Sequence, residues 1–592
     1  MKKLIIAIAA VSAALLFVSC NKGGGAPFAP AEGEGSYTFM VYSYTGEGMD
    51  VYSAMYALQS IYEGSSGKVK MTYQHKSSPD IRNAGGCPEL EGVFRLDLDD
   101  FSAWKGNASL PHDLNGENAS FEQFYDVVKD KAIAVGDSTY RVATAEALAD
   151  FIKWSRQRHP ADNYVLLFVG HGDGWSPSSD GLYDSTKAVI FETENGTTRN
   201  LSLGEVLSGV KKGMDGRKLN TLYLNNCLLA SLENYSGYME IADYVFGAVE
   251  TTTGIGLNFG KYLSTLKSVS EGQADFKTAM KGIVDYLVGE EWWSSPEYED
   301  GEKTWGDINL TDLSRFGAVL DAVKAWADLL DANWAAQEGV LSLAAMSTMT
   351  SQAYGDMSIV CDDDMVPLVS GILGGMPDGN RLNGYHLKSI IKYVESAEDS
   401  DISDEDAYNI LTMCFRITLY SQCSYNYILA DMMNWTVTLL EGLLDDPDEG
   451  EDAKKLLAEV KKAREQYYLA LKDAAYIGCT HPDADDDAYD YSSYSVLLQS
   501  LNADHISRML EIAGGTQPAS RDEKTAAMFG IPIYCMADCL MGGKPYDPLY
   551  VTSYENTSFD KKTGWSRILK RLTVNPNIFL SDSRDTAHMQ KL

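Results

Sequence analysis

The sequence predicts a doubly wound α/β domain with a mostly parallel sheet, followed by a large helical elaboration. Tyr164 to Val169 is an unbroken run of six apolar residues, the mark of a strand buried on both faces of a parallel sheet, and Leu219 to Leu224 is read as a second such strand. Strand-like and amphipathic segments alternate over roughly residues 36–260. From about residue 261 the texture changes to long helical periods.

Taken in order, Tyr37 to Tyr44 is rich in aromatic and β-branched residues and is closed by Gly46 and Gly48, so it reads as a strand. Asp50 is a fitting N-cap for an amphipathic helix from Val51 to Tyr62, and Val69 to Gln74 alternates again as a strand. Val93 to Leu98 is a further short strand. Ser120-Phe121-Glu122-Gln123 has capping-box spacing at the head of a helical run to Val135. Ala145, Leu148, Phe151 and Ile152 share one helix face, and that helix ends near His159-Pro160. Helical patterns then cover Phe276 to Leu287, Leu313 to Leu330, His386 to Glu398, Ala407 to Leu444 and Asp452 to Ala475. Strand character returns at Gly530 to Tyr534 and near Leu549 to Ser553.

The 592 residues are 45% hydrophobic and 22% charged with only 17 prolines, which excludes a disordered or collagen-like chain. Forty-nine basic against 84 acidic residues give a net charge of −35, a field that repels phosphate backbones and argues against a nucleic-acid partner. Lys2 and Lys3, an apolar run from Leu4 to Val18, then Ser19 and Cys20 make an export signal too short to span a bilayer. Small residues directly before Cys resemble a bacterial lipoprotein signal, which implies acylation of Cys20 and a membrane anchor on the periplasmic or cell-surface side. The chain is therefore divided into a signal at 1–20, a tether at 21–35, an α/β domain at 36–260, a helical region at 261–525, a strand segment returning to the core at 526–575 and a tail at 576–592.

Of nine cysteines, eight follow Cys20, with no CxxC pair and no dense disulfide framework. The eight histidines are scattered without a His-x-x-x-His pair, which disfavours a metallohydrolase. The acidic runs Asp445 to Asp452 and Asp483 to Asp490 lack EF-hand spacing and read as solvated charge.

The strand ending at Val169 leads straight into Gly170-His171-Gly172-Asp173-Gly174-Trp175, and the strand ending near Leu224 leads into Asn225-Asn226-Cys227. Ligands bind at the carboxyl ends of strands in open α/β sheets, so His171 and Cys227 are the candidate base and nucleophile. Helical periodicity from Leu228 to Val245 puts Cys227 at a helix start, where the positive end of the dipole favours an anion.

These residues resemble the clostripain family of cysteine peptidases, which have a caspase-like fold. His171-Gly172-Asp173-Gly174-Trp175 matches the family's His-Gly-x-Gly-Trp, and Asn225-Asn226-Cys227-Leu228-Leu229 partly matches its Asp-x-Cys-Leu-Met. Glu233, Ala242-Asp243-Tyr244-Val245, Gly530 to Tyr534 and Thr563-Gly564-Trp565 are similar to further family segments. The resemblance implies a polypeptide substrate, Cys227 as nucleophile, His171 as general acid/base, and backbone N–H groups of Gly172 and Cys227 as oxyanion donors.

Asn225 stands where the family carries an acid that reads a basic P1 side chain, so basic P1 preference is in doubt; Glu250 is a candidate substitute charge. Lys187 and Arg199, beside the polar run Glu192 to Thr198, are candidate self-cleavage positions in an exposed loop. No cofactor is identified from the residues, and the resemblance brings in calcium alone. Asp538-Cys539-Leu540-Met541 also spells the nucleophile motif, but Lys544-Pro545 stops a following helix and Cys539 is read as a packing thiol. The rival class is a non-catalytic surface-binding lipoprotein with a caspase-like fold.

Overall fold

The computed structural model describes residues 35–45, 69–77, 92–97, 132–137, 139–172, 189–194, 197–227, 229–248, 259–287, 306–337, 359–361, 365–377, 380–382, 426–442, 450–480, 532–534 and 554–574, with single positions 341, 390, 393 and 444. The strands are β1 (Tyr37–Thr45), β2 (Val69–Ser77), β3 (Val93–Asp97), β4 (Ile133–Gly136), β5 (Asn163–Val169), β6 (Phe191–Glu194), β7 (Thr197–Asn200), β8 (Leu219–Asn225), β9 (Ala242–Gly247), β10 (Gly306–Asp312), β11 (Ile359–Val360), β12 (Arg381–Leu382), β13 (Asn426–Ile428), β14 (Ala475–Thr480) and β15 (Pro532–Tyr534). The helices are α1 (Ala145–Arg158), α2 (Leu203–Gly213), α3 (Leu232–Tyr238), α4 (Phe259–Ser270), α5 (Phe276–Leu287), α6 (Phe316–Asn333), α7 (Val366–Leu373), α8 (Leu429–Gly442), α9 (Gly450–Ala474), α10 (Ser558–Thr563) and α11 (Ser566–Val574).

Nine strands form one sheet in the order β14-β10-β9-β8-β5-β1-β2-β3-β4. β9, β8, β5, β1 and β2 run parallel, and the neighbours flanking them pair antiparallel. Side chains alternate across this sheet with period two. Met40, Tyr42 and Tyr44 of β1 enter a large cluster with α1, α2, α3, α6, α8, α9 and α11, whereas Tyr37, Phe39 and Val41 pack with α4 and α5 on the other face. The run Tyr164 to Val169 is buried throughout, as a central strand covered on both faces requires.

The helices begin where side chains can take up orphan backbone donors. The hydroxyl of Thr144 accepts from Ala147 N at the head of α1, and Ser202 with Glu205 forms a reciprocal capping box at α2. α1 ends at Arg158 with His159 as its cap, where the sequence places its end.

The structure corrects three sequence expectations. Within the run from Ser120 to Val135, the described end is β4, an edge strand whose Ile133 is exposed; a few apolar residues carry either period, and pairing with β3 decides. Between Ala407 and Leu444, residues 426–428 form β13 paired to β15, and α8 starts only at Leu429. The segment from Leu228 to Val245 is not one helix: α3 has seven residues, and Ala242–Gly247 becomes β9 beside β8. The pairing offered by β8 outweighs the local helical period there.

The sheet also draws β10 and β14 from beyond residue 260. β15 joins β13 in a separate ribbon, and its Ile533 enters the larger cluster. The expected segments Val51 to Tyr62, Asp483 to Asp490 and Leu549 to Ser553 lie outside the described residues, as does His386 to Glu398 apart from two positions.

Candidate active site

β5 and β8 are adjacent and parallel, with Val169 opposite Asn225. Cys227 follows His171 by the same 56 residues that separate the paired positions, so the two chains leave the sheet at one level, at its carboxyl edge. His171 is exposed, Gly172 is buried and Cys227 is half-buried. Gly172 lies directly on the nucleophile loop: a Cβ there would stand 2.5 Å from the Cys227 carbonyl oxygen and 2.7 Å from Asn226 Cβ. Only glycine lets the two loops approach so closely.

The loop carrying Cys227 is held from several sides. Asn226 Nδ2 donates to Gly170 O (2.7 Å) and to Val189 O (2.9 Å). Asn234 Nδ2 donates to Leu229 O at 3.1 Å, and Ala230 N donates to Ala248 O at 2.9 Å. α3 is pinned in turn, because Tyr235 Oη donates to Asn309 Oδ1 and Tyr554 Oη donates to the buried carboxylate of Glu233. The C-terminal segment therefore supports the site from behind, with Trp565 fully buried at the start of the region before α11.

The expected helix start at Cys227 is absent. α3 begins at Leu232 and is capped by Ser231, so Cys227 is not the residue at its N-terminus. Asn225, the last residue of β8, is buried, and its Oδ1 has no hydrogen-bond partner among the described residues. Glu250, Lys187, Asp173, Gly174, Trp175, Cys20 and Cys539 lie outside the described residues.

The polar run after Lys187 differs from the exposed loop read from sequence. β6 and β7 pair as a hairpin, and Glu192 is fully buried. Its Oε1 lies 2.6 Å from Lys76 Nζ and its Oε2 accepts from Ala143 N, while Lys76 also donates to Tyr140 O. Tyr44 Oη meets both Thr193 N and Thr193 O. Bonds from Lys76, Ala143 and Tyr44 thus bind the hairpin and account for the buried Glu192, while Arg199 stays exposed. Arg199 sits in β7 opposite Glu192, with Nε donating to Ala143 O.

One further histidine stands at the same edge. His75 of β2 is level with Ser43, Val169 and Asn225 across four strands, and it is fully buried. Its ring contacts Ser43 Oγ at 3.0 Å and Ser77 Oγ at 2.8 Å, and burial pushes its imidazole down to about 3, so it is neutral at ordinary pH. Among the described residues, no group of three or more His, Cys, Asp or Glu could hold a metal ion, so no ligand set is assigned to calcium.

Sequence reasoning reached His171, Gly172 and Cys227, and missed Asn226, Asn234, Asn309 and Tyr554. The signal for Asn226 was present: a second consecutive amide at the end of a buried strand needs partners.

The loops that carry His171 and Cys227 leave adjacent parallel strands at one edge of the sheet and meet at Gly172. The model of the clostripain family, Peptidase C11, matches residues 119–474, more than half of the chain. The chain belongs to that family and is a cysteine peptidase.

Among solved structures the chain is similar to a secreted C11 cysteine protease from Bacteroides thetaiotaomicron in complex with an irreversible peptide inhibitor, at 16% identity and TM-score 0.33, over 50% of this chain and 70% of that one. It is also similar to an inactive zymogen C11 protease from Parabacteroides distasonis, at 16% identity and TM-score 0.31, over 49% and 65%. A third is a B. fragilis cysteine protease, at 11% identity and TM-score 0.27, over 64% and 97%. No curated protein matches.

Proposed function

We propose that the chain is an exported, lipid-anchored cysteine endopeptidase in which Cys227 is the nucleophile and His171 the general acid/base. The observation that carries this reading is the seating of Gly172 on the Cys227 carbonyl, which holds the two loops together at the edge of adjacent parallel strands. The Cys227 thiolate attacks the scissile carbonyl carbon to form a thioester, and the C–N bond breaks as His171 gives its proton to the leaving amine. Water then attacks the thioester, His171 takes its proton, and the carboxylic acid leaves with the thiolate restored. The N–H groups of Gly172 and Cys227 face the oxygen that becomes negative in each tetrahedral intermediate.

Asn225 lines the P1 site as a neutral group, so neutral polar P1 side chains are accepted and a basic one gains no charge-assisted bond unless Glu250 supplies it. Residues 1–19 direct export and the lipid on Cys20 ties the protein to a membrane. Self-cleavage falls at Lys187 in preference to Arg199, because Arg199 belongs to a paired strand, which a protease does not take up.

Thiol-reactive peptide probes varied at P1 test the reading on purified full chain. Labelling that disappears in both Cys227→Ala and His171→Ala is the expected result. Labelling that persists in Cys227→Ala with the adduct on another cysteine, such as Cys539, overturns the assignment.

A further inference from the structure

Asn226, between the candidate P1-site residue and the candidate nucleophile, has no place in the chemistry above, yet its buried amide nitrogen ties together two separate chain segments at the edge of the sheet. We propose that Asn226 is a positioning residue of the peptidase reaction, setting His171 against Cys227 by gripping the chain on both sides of the histidine. The proposal rests on the reading that His171 and Cys227 act together.

Asn226 is fully buried, and both N–H bonds of its Nδ2 are used. One goes to the carbonyl of Gly170, the residue before His171. On the other side of His171, Gly172 is pressed against the Asn226 Cβ and the Cys227 carbonyl. His171 is thus bracketed by two contacts with one side chain, whose own backbone runs into Cys227. The second N–H holds Val189 O, where the chain re-enters the described fold ahead of the β6–β7 hairpin.

The chemistry demands an amide. Two acceptors converge on one atom, and among side chains of this size only the amide nitrogen offers two donors. An ionised carboxylate of the same shape offers none and repels both carbonyls; protonated, it offers one. Loop displacements well under an ångström are enough to separate an imidazole from its thiol partner, and misplacement of about 1 Å costs about 100-fold in rate.

The test is alkylation of Cys227 in the full chain by iodoacetamide, followed by intact mass across pH, with thermal unfolding measured on the same samples. Iodoacetamide reads the dyad without reference to peptide specificity. His171→Ala is expected to slow alkylation at neutral pH about tenfold or more. Asn226→Ala slows it as much, and the double variant is no slower than either single one, because Asn226 acts through His171. Asn226→Asp behaves like Asn226→Ala at neutral pH and regains rate relative to wild type as the pH falls and its carboxyl protonates.

Losses that multiply in the double variant overturn the proposal, as does a wild-type rate in Asn226→Ala or a loss that tracks the unfolded fraction. Should Asn226→Ala fail to fold, the pH profile of the isosteric Asn226→Asp decides alone, and a profile parallel to wild type rejects the role. An undiminished rate in His171→Ala removes the dyad itself, and this proposal with it.

Discussion

Lys76 and Glu192 form an ion pair at 2.6 Å with neither side chain exposed, joining β2 of the central sheet to the hairpin inserted between His171 and Cys227. A buried pair of this kind is supported by additional hydrogen bonds, here Tyr140 O on the ammonium and Ala143 N on the carboxylate. Glu192→Gln leaves a buried ammonium without its counter-charge and is expected to cost about 3–5 kcal/mol of stability, read from denaturant unfolding. Replacing both partners, as Lys76→Met with Glu192→Leu, recovers most of that loss.

Gly172→Ala is expected to slow probe labelling about 100-fold while leaving most of the fold. The added Cβ meets backbone at 2.5 Å, so one of the two loops must move. The stability cost of such overpacking is about 1–3 kcal/mol, whereas the rate falls about 100-fold. A variant that labels at the wild-type rate contradicts the close seating of the loops.

His75 gives the fold a pH dependence of known sign. Its folded imidazole titrates near 3 and an unfolded one near 6.5, so between these values the unfolded chain binds the extra proton. Stability from this residue is full above about 6.5 and declines as pH falls, by up to about 1.4 kcal/mol per pH unit. His75→Gln, neutral throughout, should flatten that part of the profile in urea unfolding from neutral to acid pH.

Asn225→Asp is expected to shift P1 preference toward lysine and arginine by about tenfold or more, because a carboxylate forms a charge-assisted bond where the amide cannot. Relative labelling by probes with basic and neutral P1 side chains measures it. If Glu250 already supplies the charge, Glu250→Gln lowers basic P1 labelling in the wild-type background; no change in either variant removes the specificity role of both.

Intact mass of purified protein should show two chains for the active form and one for Cys227→Ala. Lys187→Gln should prevent the cut and Arg199→Gln should not.

The parallel core was legible because its strands are covered on both faces and therefore read as apolar runs or dense aromatic stretches, as in Tyr164 to Val169 and Tyr37 to Tyr44. β4, β9 and β13 were not, since a short apolar segment carries no period of its own and the partner strand selects its conformation. The candidate site was half legible on the same physical grounds. His171 and Cys227 follow directly from buried strands, so sequence position exposes them. The Asn226 clamp reaches carbonyls 56 and 37 residues away, and Glu192 finds Lys76 across 116 residues, partnerships that only the folded chain creates.

The sheet order carries a last consequence. β5, from before Lys187, lies between β1, also from before it, and β8, from after it, and β8 continues into β9 and β10. Severing the backbone at Lys187 would leave two polypeptides whose strands share one sheet, with the bond from Asn226 to Gly170 O and the Lys76–Glu192 pair each clasping across the break. Such a pair would be a fragment-complemented heterodimer, eluting as one particle and separating only on denaturation.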